Sequence, residues 1–399
     1  MYCFKTCGKV FRSIFLSKNL VHKNMKHVYY LTTSSVFGHP GPHDAYYNYF
    51  LNLPFPKNKI FATYVWIDAS GINLRSKDRI LDKEPCDLEM VPKWSYDGSS
   101  TGHSTGQSDL KDSDITLLPV AVYRDPFRKS PHIIVLCETY SSEGLPTPTN
   151  HRVSSAITLS KICDQEPWFG IEQEYTMFDR DHWPLGWPKP RGYPDQDSKN
   201  SYCGVGEHVA GREIAECHAR ACIYSGMDYD GSNAEVMNGS WEFQVGPTLG
   251  IKAADDIWIG RYLLNRIAEH FDVIISFHPK PMGDGHAGIG CHHNFSTKKM
   301  RADQGVTEIK RICKILCDQH ENIIKSYDLK DGEDNKKRLV GKFETSSYDS
   351  CRVGISDRSA SIRIQKKVIS EGKGYFEDRR PAGNCDPYMV CGLIAKTCI

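Results

Sequence analysis

Short runs of apolar residues separated by polar and turn-forming residues characterise positions 60–145. Residues 64–81 have the pattern of a strand, a turn and a second strand. Two further apolar stretches follow at 115–127 and 132–140, each of strand length. This part of the chain therefore predicts a small domain built on a β-sheet.

The periodicity changes after residue 150. Residues 141–150 combine Pro, Gly, Ser and Asn and predict a linker. Beyond it, apolar residues recur every three or four positions and predict helices. These helices are expected at residues 151–165, 211–226, 254–271 and 306–327. Strands are expected between and after them, so we predict an α+β protein with domains at 58–145 and 150–399.

Composition excludes some classes of function. The chain has 399 residues, of which 40% are hydrophobic and 25% charged, as in a soluble globular protein. Its apolar runs are too short to cross a bilayer, so we expect no membrane insertion. Residues 1–43 hold six Lys/Arg and no acid, which leaves 44 basic against 49 acidic residues elsewhere. An acidic body argues against nucleic acid as a partner.

The basic N-terminal segment has its own interpretation. Residues 1–40 mix basic, hydroxyl and apolar residues, a composition typical of a mitochondrial transit peptide. We therefore expect a location in the mitochondrial matrix. The alternative is a disordered extension on a cytoplasmic protein.

The chain has 15 cysteines and no CxxC pair. Cys313 and Cys317 lie four apart in a helical pattern and share a face, but a zinc site needs more ligands. We predict buried, reduced thiols.

Two glutamates interrupt the apolar run WFGIEQEYTMF at 168–178. Side chains two apart on a strand point to one face, so Glu172 and Glu174 lie together. Two carboxylates in a partly buried site need protons, arginines or a metal ion. The alternative is an edge strand with a solvated polar face.

A second acidic pair flanks the Asn238-Gly239 dipeptide, which favours two-residue hairpin turns. Counting outward from it places Glu235 opposite Glu242, with Cβ atoms roughly 4.5–5.5 Å apart. Like charges so placed require a cation between them, although a wider loop would change this register.

Two later segments add possible ligands. His292, Asn294 and Ser296 alternate on one face of a predicted strand, and Glu377 follows two aromatic residues. Carboxylates with one histidine suit Mg²⁺ or Mn²⁺. Arginines complete the set, because their guanidinium groups match carboxylate and phosphate oxygens. They are Arg338, Arg358, Arg363, Arg379 and Arg380. Without a Walker motif, this combination predicts phosphoryl transfer outside the P-loop class.

Seven ordered motifs resemble one family, glutamine synthetase of the eukaryotic type. They are residues 94–102, 168–176, 233–247, 280–297, 338–346, 357–364 and 374–387. The resemblance implies a small N-terminal β-grasp domain followed by a large catalytic α+β domain. It also implies a homo-oligomer of stacked rings with active sites between subunits. The implied reaction joins L-glutamate and ammonium at the expense of ATP, through γ-glutamyl phosphate.

The resemblance also assigns roles to residues. The ligands of two divalent metal ions would be Glu172, His292 and Glu377 for one, and Glu174, Glu235 and Glu242 for the other. The ATP site would contain Trp168, Asn294, Ser296, Arg358, Arg363 and Tyr375. The glutamate site would contain Gly288, Arg338, Arg358 and Arg379. Asp97 would accept a proton from ammonium in a neighbouring subunit, Glu344 would close over the site, and Arg358 would stabilise the transferring phosphoryl group.

The chain also departs from the family pattern. Ala287 stands where Asn is usual, Ile289 where a small residue is usual, and Phe343 where His is usual. The loop after Ser100 is longer by about four residues. These departures leave an alternative open, namely a divergent paralogue that serves as a non-catalytic assembly partner or as a γ-glutamyl-amine ligase.

Overall fold

The computed structural model describes residues 49–103, 113–189 and 198–399. The chain divides after Pro56, and the following description concerns the unit Lys57–Ile399. The predicted transit peptide and the lengthened part of the loop after Ser100 lie outside the described residues. None of the helices in the described residues is both long and apolar enough to span a bilayer.

Five strands form a smaller sheet. They are β1 (Ile60–Ile67), β2 (Leu74–Leu81), β3 (Trp94–Asp97), β4 (Asp114–Arg124) and β5 (Ile133–Tyr140). Their order is β2-β1-β5-β4-β3, with β1 and β5 parallel. One face packs around Tyr64 and Leu117, and the other contributes Val65 and Leu136 to the main core. The predicted strands are confirmed, while the β-grasp assignment and the domain boundary stay predictions.

Eight strands form a larger sheet. They are β6 (Trp168–Phe178), β7 (Tyr229–Ala234), β8 (Ser240–Leu249), β9 (Ile274–Ser276), β10 (Cys291–Ser296), β11 (Val353–Ile355), β12 (Ile362–Ile364) and β13 (Phe376–Asp378). Their order is β11-β12-β13-β10-β6-β8-β7, and β9 pairs separately with β6. On β6, Phe169, Ile171 and Tyr175 are buried, whereas Glu172 and Glu174 are only partly covered. The predicted alternation of this strand is therefore confirmed.

Ten α-helices occur in the described residues of the unit Lys57–Ile399. They are α1 (His151–Ser160), α2 (Ser198–Ser201), α3 (Arg212–Ser225), α4 (Lys252–His270), α5 (Lys298–Arg301), α6 (Gly305–Asp318), α7 (His320–Ser326), α8 (Glu333–Arg338), α9 (Lys366–Glu371) and α10 (Pro387–Lys396). Helix α4 packs on β6 and β8, with Trp258 fully buried. The helix predicted at 306–327 is two helices that meet at Gln319. The α+β class is confirmed.

The prediction of buried, reduced thiols is wrong in two respects. Cys317, at the end of α6, forms a disulfide with Cys351. Cys86 and Cys163 are exposed. Helical spacing placed Cys313 beside Cys317, but Cys313 packs into the core. The disulfide partner of Cys317 is Cys351, which lies 34 residues away in sequence. Such a pairing depends on the tertiary fold and leaves no local signal.

Candidate active site

The register of the larger sheet brings acidic residues from distant parts of the chain together. Glu172 on β6 lies directly opposite His292 on β10, and Glu174 lies opposite Glu242 on β8. Directly opposed residues project to the same face of a sheet. Glu377 joins them from β13, which pairs with β10. One face of the sheet, called the front face below, therefore collects the predicted ligands.

The register predicted for the Asn238-Gly239 hairpin is wrong. Glu242 pairs with Asn233, not with Glu235, because residues 235–239 form a five-residue loop between β7 and β8. The side chain of Asn238 is held by the backbone of neighbouring loops, and these tertiary contacts favour the wider turn. Glu235 reaches the same cavity as Glu242 from the loop and not from the strand.

The front face lines a cavity of about 240 Å³ whose walls combine carboxylates with arginines. The predicted site residues that line it are Glu172, Glu174, Glu235, Glu242, Gly288, His292, Arg338, Glu344, Arg358, Arg363 and Arg379. At Gly288, an added Cβ would lie 2.7 Å from both Arg338 Cγ and the Pro279 carbonyl oxygen. Only glycine allows the chain to pass so close to that arginine.

Two overlapping groups of side chains fit a divalent cation. In the first, Nδ1 of His292 lies 3.6 Å from a carboxylate oxygen of both Glu172 and Glu377. This nitrogen is buried and has no hydrogen-bond partner in the described part of the chain. The second group is Glu174, Glu242 and His292, and the ligand atoms within each group lie within 4.8 Å of one another. Oxygen-rich sets of this kind suit Mg²⁺ or Mn²⁺.

The first group is the set predicted for one metal ion. The second contains two of the three residues predicted for the other ion, with His292 where Glu235 was expected. The Glu235 carboxylate instead accepts a hydrogen bond of 2.9 Å from Asn233. Its place in the ligand set stays a prediction.

Among the described residues, no nearby positive charge offsets the carboxylates of Glu242 and Glu235. Burial and the negative charge of Glu172 hold the pKa of Glu242 well above its usual range. Burial, reinforced by the charge of Glu174, raises the pKa of Glu235 to about 8. Burial lowers the pKa of His292 to about 3, so its imidazole is neutral and able to bind a metal. A bound cation would remove the repulsion between these carboxylates.

Arginines occupy the side of the cavity next to β13. Arg379 and Arg363 donate to the two oxygens of Glu377, over 2.7 and 2.9 Å. Arg338 donates to the Arg379 carbonyl over 2.9 Å and lies 3.0 Å from Nε2 of His292. Burial lowers the pKa of Arg338. Guanidinium groups therefore lie directly beside the first cation group, where an anionic substrate would meet both.

Residues 341–346, called the flap below, form another wall. Phe343 and Glu344 have φ angles of 54° and 59°, in the left-handed region. Such backbone costs about 1–2 kcal/mol per residue and persists only where surrounding contacts hold it. The Glu344 carbonyl accepts from Arg379 over 3.4 Å, and its carboxylate lies 3.6 Å from Arg358.

The predicted ATP residues lie at one end of the β6–β10 pair. Trp168 is directly opposite Ser296, whose hydroxyl donates to the Gly374 carbonyl over 2.6 Å. One face of the Trp168 ring is covered by Arg301 at 3.9 Å, and the residue as a whole is 39% exposed. Tyr375 follows Gly374 in the chain. Trp168, Ser296 and Tyr375 are not among the residues lining the cavity of carboxylates.

Side-chain amides hold several of the carboxylates. Asn294 donates to Glu172 over 2.7 Å, and Gln244 donates to Glu242 over 2.6 Å. Gln244 was not singled out from the sequence, although its position two residues after Glu242 on a strand was a usable signal. Further lining residues that were missed are Tyr202, Asn233, Val236 and Thr345.

Two predicted features lie away from the cavity. Asp97 ends β3 in the smaller sheet, where hydrogen bonds from the Ser99 side chain and backbone lower its pKa to about 2. It does not line the cavity, and its delivery by a neighbouring subunit stays a prediction. Ile289 packs in a small apolar cluster with Met237, whereas Ala287 and Phe343 both line the cavity.

Comparison with known proteins supports a single family. Residues 152–308 match the family model "Glutamine synthetase, catalytic domain". The chain is 51% identical over 350 residues to "Glutamine synthetase 1, mitochondrial" of Drosophila melanogaster, covering 87% of this chain and 86% of that protein. It is 49% identical to "Glutamine synthetase 2 cytoplasmic" of the same organism, covering 87% and 93%. It is 48% identical to "Glutamine synthetase" of Panulirus argus, covering 87% and 95%.

Proposed function

The chain belongs to the glutamine synthetase family, and on that premise we propose that it makes L-glutamine from L-glutamate, ammonia and ATP. One observation carries the proposal, namely two overlapping groups that fit a divalent cation on the front face, beside arginines that converge on Glu377. This arrangement suits the transfer of a phosphoryl group to a carboxylate.

We assign the metal ions to these groups. Glu172, His292 and Glu377 would hold one Mg²⁺ or Mn²⁺, and Glu174 and Glu242, with Glu235 nearby, would hold the other. When bound, such ions neutralise phosphate charge and polarise the reacting oxygens.

The protein's own residues then have distinct tasks. Arg338 would bind the α-carboxylate of glutamate beside Gly288, and Arg358, Arg363 and Arg379 would neutralise the phosphoryl group in transit. A γ-carboxylate oxygen attacks the terminal phosphorus of ATP, the bond to the bridging oxygen breaks, and ADP leaves. The nitrogen of ammonia then attacks the acyl carbon of γ-glutamyl phosphate and phosphate leaves.

The remaining tasks are proton transfer, exclusion of water and binding of ATP. Asp97 from a neighbouring subunit would take the proton that ammonium loses. Glu344 would cover the acyl phosphate and exclude water. The adenine and phosphates of ATP would lie near Trp168, Asn294, Ser296 and Tyr375. This division of tasks requires the predicted homo-oligomer of stacked rings.

We also propose that the protein acts in the mitochondrial matrix. Similarity to a mitochondrial relative and the basic leader support this location, while a cytoplasmic relative of similar identity keeps the alternative open. Fusing residues 1–40 to a fluorescent reporter tests the proposal. Mitochondrial fluorescence is expected, and a diffuse cytosolic signal would contradict it.

The ligase reaction is tested on the purified full chain with ATP, Mg²⁺ or Mn²⁺, ammonium and a glutamate titration. Glutamine and phosphate are measured together, and equal amounts are expected. Phosphate without glutamine would indicate a different acceptor amine or a site that lets water hydrolyse the acyl phosphate. The absence of both products from a folded oligomer would indicate the non-catalytic paralogue.

A further inference from the structure

A buried lysine lies between the flap and the loop at residues 286–288, called the substrate loop below. Lys280 is 7% exposed, and its Nζ donates to the His286 carbonyl over 2.5 Å. The same Nζ lies 5.0 Å from the centre of the Phe343 ring. The ammonium group of Lys280 therefore contacts both the flap and the substrate loop.

Both loops contribute directly to the cavity. Ala287 and Gly288 of the substrate loop line it, as do Phe343 and Glu344 of the flap. The two flap residues have left-handed backbone, which only external contacts can maintain. Within the described residues, side chains that hold this pair are Arg379, Arg358 and Lys280.

Lys280 is buried, so its positive charge needs compensating contacts within the protein. In the described part of the chain, no salt bridge joins this lysine to a carboxylate. The charge of Asp284 acts on it from further away, and its direct contacts are a carbonyl and a ring face. A buried ammonium is costly without such contacts. An aromatic ring attracts a cation through its negative face, and more strongly away from water.

We propose that Lys280 is a positioning residue that fixes the flap to the substrate loop through the face of Phe343. Its ammonium contacts the His286 carbonyl and the Phe343 ring, and none of the proposed metal ligands among the described residues. Its task is to set where Glu344 stands when glutamate is bound. The consequence for catalysis rests on the proposed function, whereas the contact itself does not.

Amide hydrogen exchange tests the contact on the full chain without substrates. In the flap, Gly341 N–H donates to Ser346 and Thr345 N–H donates to Lys342, so opening exposes both amides. Lys280→Met and Phe343→Leu are each expected to speed flap exchange by about threefold to thirtyfold. Phe343→Tyr retains the ring face and should match the wild type, as should Lys342→Met, which removes an exposed flap lysine. Unchanged flap exchange in Phe343→Leu, which lies at the surface and should fold, would overturn the proposal.

Product analysis tests the consequence. Both variants should release about twofold or more phosphate per glutamine and raise the KM for glutamate, while Lys280→Arg restores much of the coupling. The double variant should behave like the single ones, because both remove one contact. Multiplying effects would mean that the residues act separately, which overturns the proposal. A wild-type chain that made no glutamine would overturn the proposed function, and the exchange result would still decide the contact.

Discussion

Strand β13 carries acid–arginine groups on both faces of the larger sheet, and the two faces differ in one respect. Behind the sheet, Arg380 donates to both oxygens of Asp378, over 2.9 and 2.6 Å. Tyr327 donates to the same carboxylate over 2.9 Å. Asp378 and Arg380 are fully buried, and each charge has its partner within the chain.

On the front face, Glu377 has arginine partners, but Glu242 on β8 has none among the described residues. Burial alone would raise the pKa of Asp378, yet the charge and hydrogen bonds of Arg380 lower it. Burial of Glu242 is not offset, and the charge of Glu172 raises its pKa further. Asp378 and Arg380, called the rear group below, therefore contribute to stability by themselves. Glu242 and the neighbouring front-face glutamates instead require a cation from outside the chain. This difference separates a structural charge cluster from a binding site.

The largest expected effect comes from removing a front carboxylate. Glu242→Ala should reduce metal-dependent glutamine formation by about a thousandfold, because it removes several kcal/mol of charge stabilisation. The metal-free variant should be no less stable than the wild type, since it loses a buried carboxyl group whose charged form burial and neighbouring glutamates disfavour. Steady-state assays and thermal unfolding check both, with exposed Glu321→Ala as the control. Full activity in Glu242→Ala would end the metal assignment.

Breaking the rear group should act in the opposite way. Asp378→Asn leaves the buried Arg380 without its charge partner and should lower the free energy of unfolding by about 3–5 kcal/mol. Urea unfolding, monitored by fluorescence, measures this change in the free energy of unfolding. A loss below about 1 kcal/mol would show that the rear group is not the closed unit described above.

The pH dependence should also differ between the two faces. Folding raises the pKa of Glu235 from 4.5 to about 8, so the folded chain binds its proton more tightly than the unfolded chain. The stability contributed by this group is present below 4.5 and is lost as the pH rises to about 8. Asp378, with a lowered pKa, instead contributes stability above its usual value and loses it in acid.

Unfolding free energies of the chelator-treated protein between about pH 5 and pH 8 check this sign. The wild type should lose stability across that window relative to Glu235→Gln, and saturating Mg²⁺ should reduce the difference. Parallel curves for the two proteins would contradict the assignment of a raised pKa to Glu235.

The smallest effect concerns the substrate loop on the front face. Ala287→Asn supplies an amide where the family pattern has one, and should lower the KM for glutamate about fivefold by adding one hydrogen bond. Ile289→Val is the control, because Ile289 packs in an apolar cluster and does not line the cavity. An unchanged or higher KM in Ala287→Asn would mean that glutamate is held differently.

Alternation along single strands could be predicted from the sequence, but pairing between strands could not. The order of polar and apolar residues on β6 placed Glu172 and Glu174 together and opposite the core, as observed. Their partners Glu242 and His292 are fixed by register between distant segments, which no local pattern specifies. The hairpin at Asn238 had a local signal, and tertiary contacts to its side chain overrode it.

The measurement that tests the central claim most directly is a titration of the substrate-free chain with Mn²⁺. Binding is detected as the loss of the electron paramagnetic resonance signal of the free ion. The account predicts saturable binding of at least one Mn²⁺ per chain, weakened strongly in Glu242→Ala and unchanged in Glu321→Ala. Binding that is absent from the wild type, or equal in Glu242→Ala, would contradict the claim that the front carboxylates form a metal site.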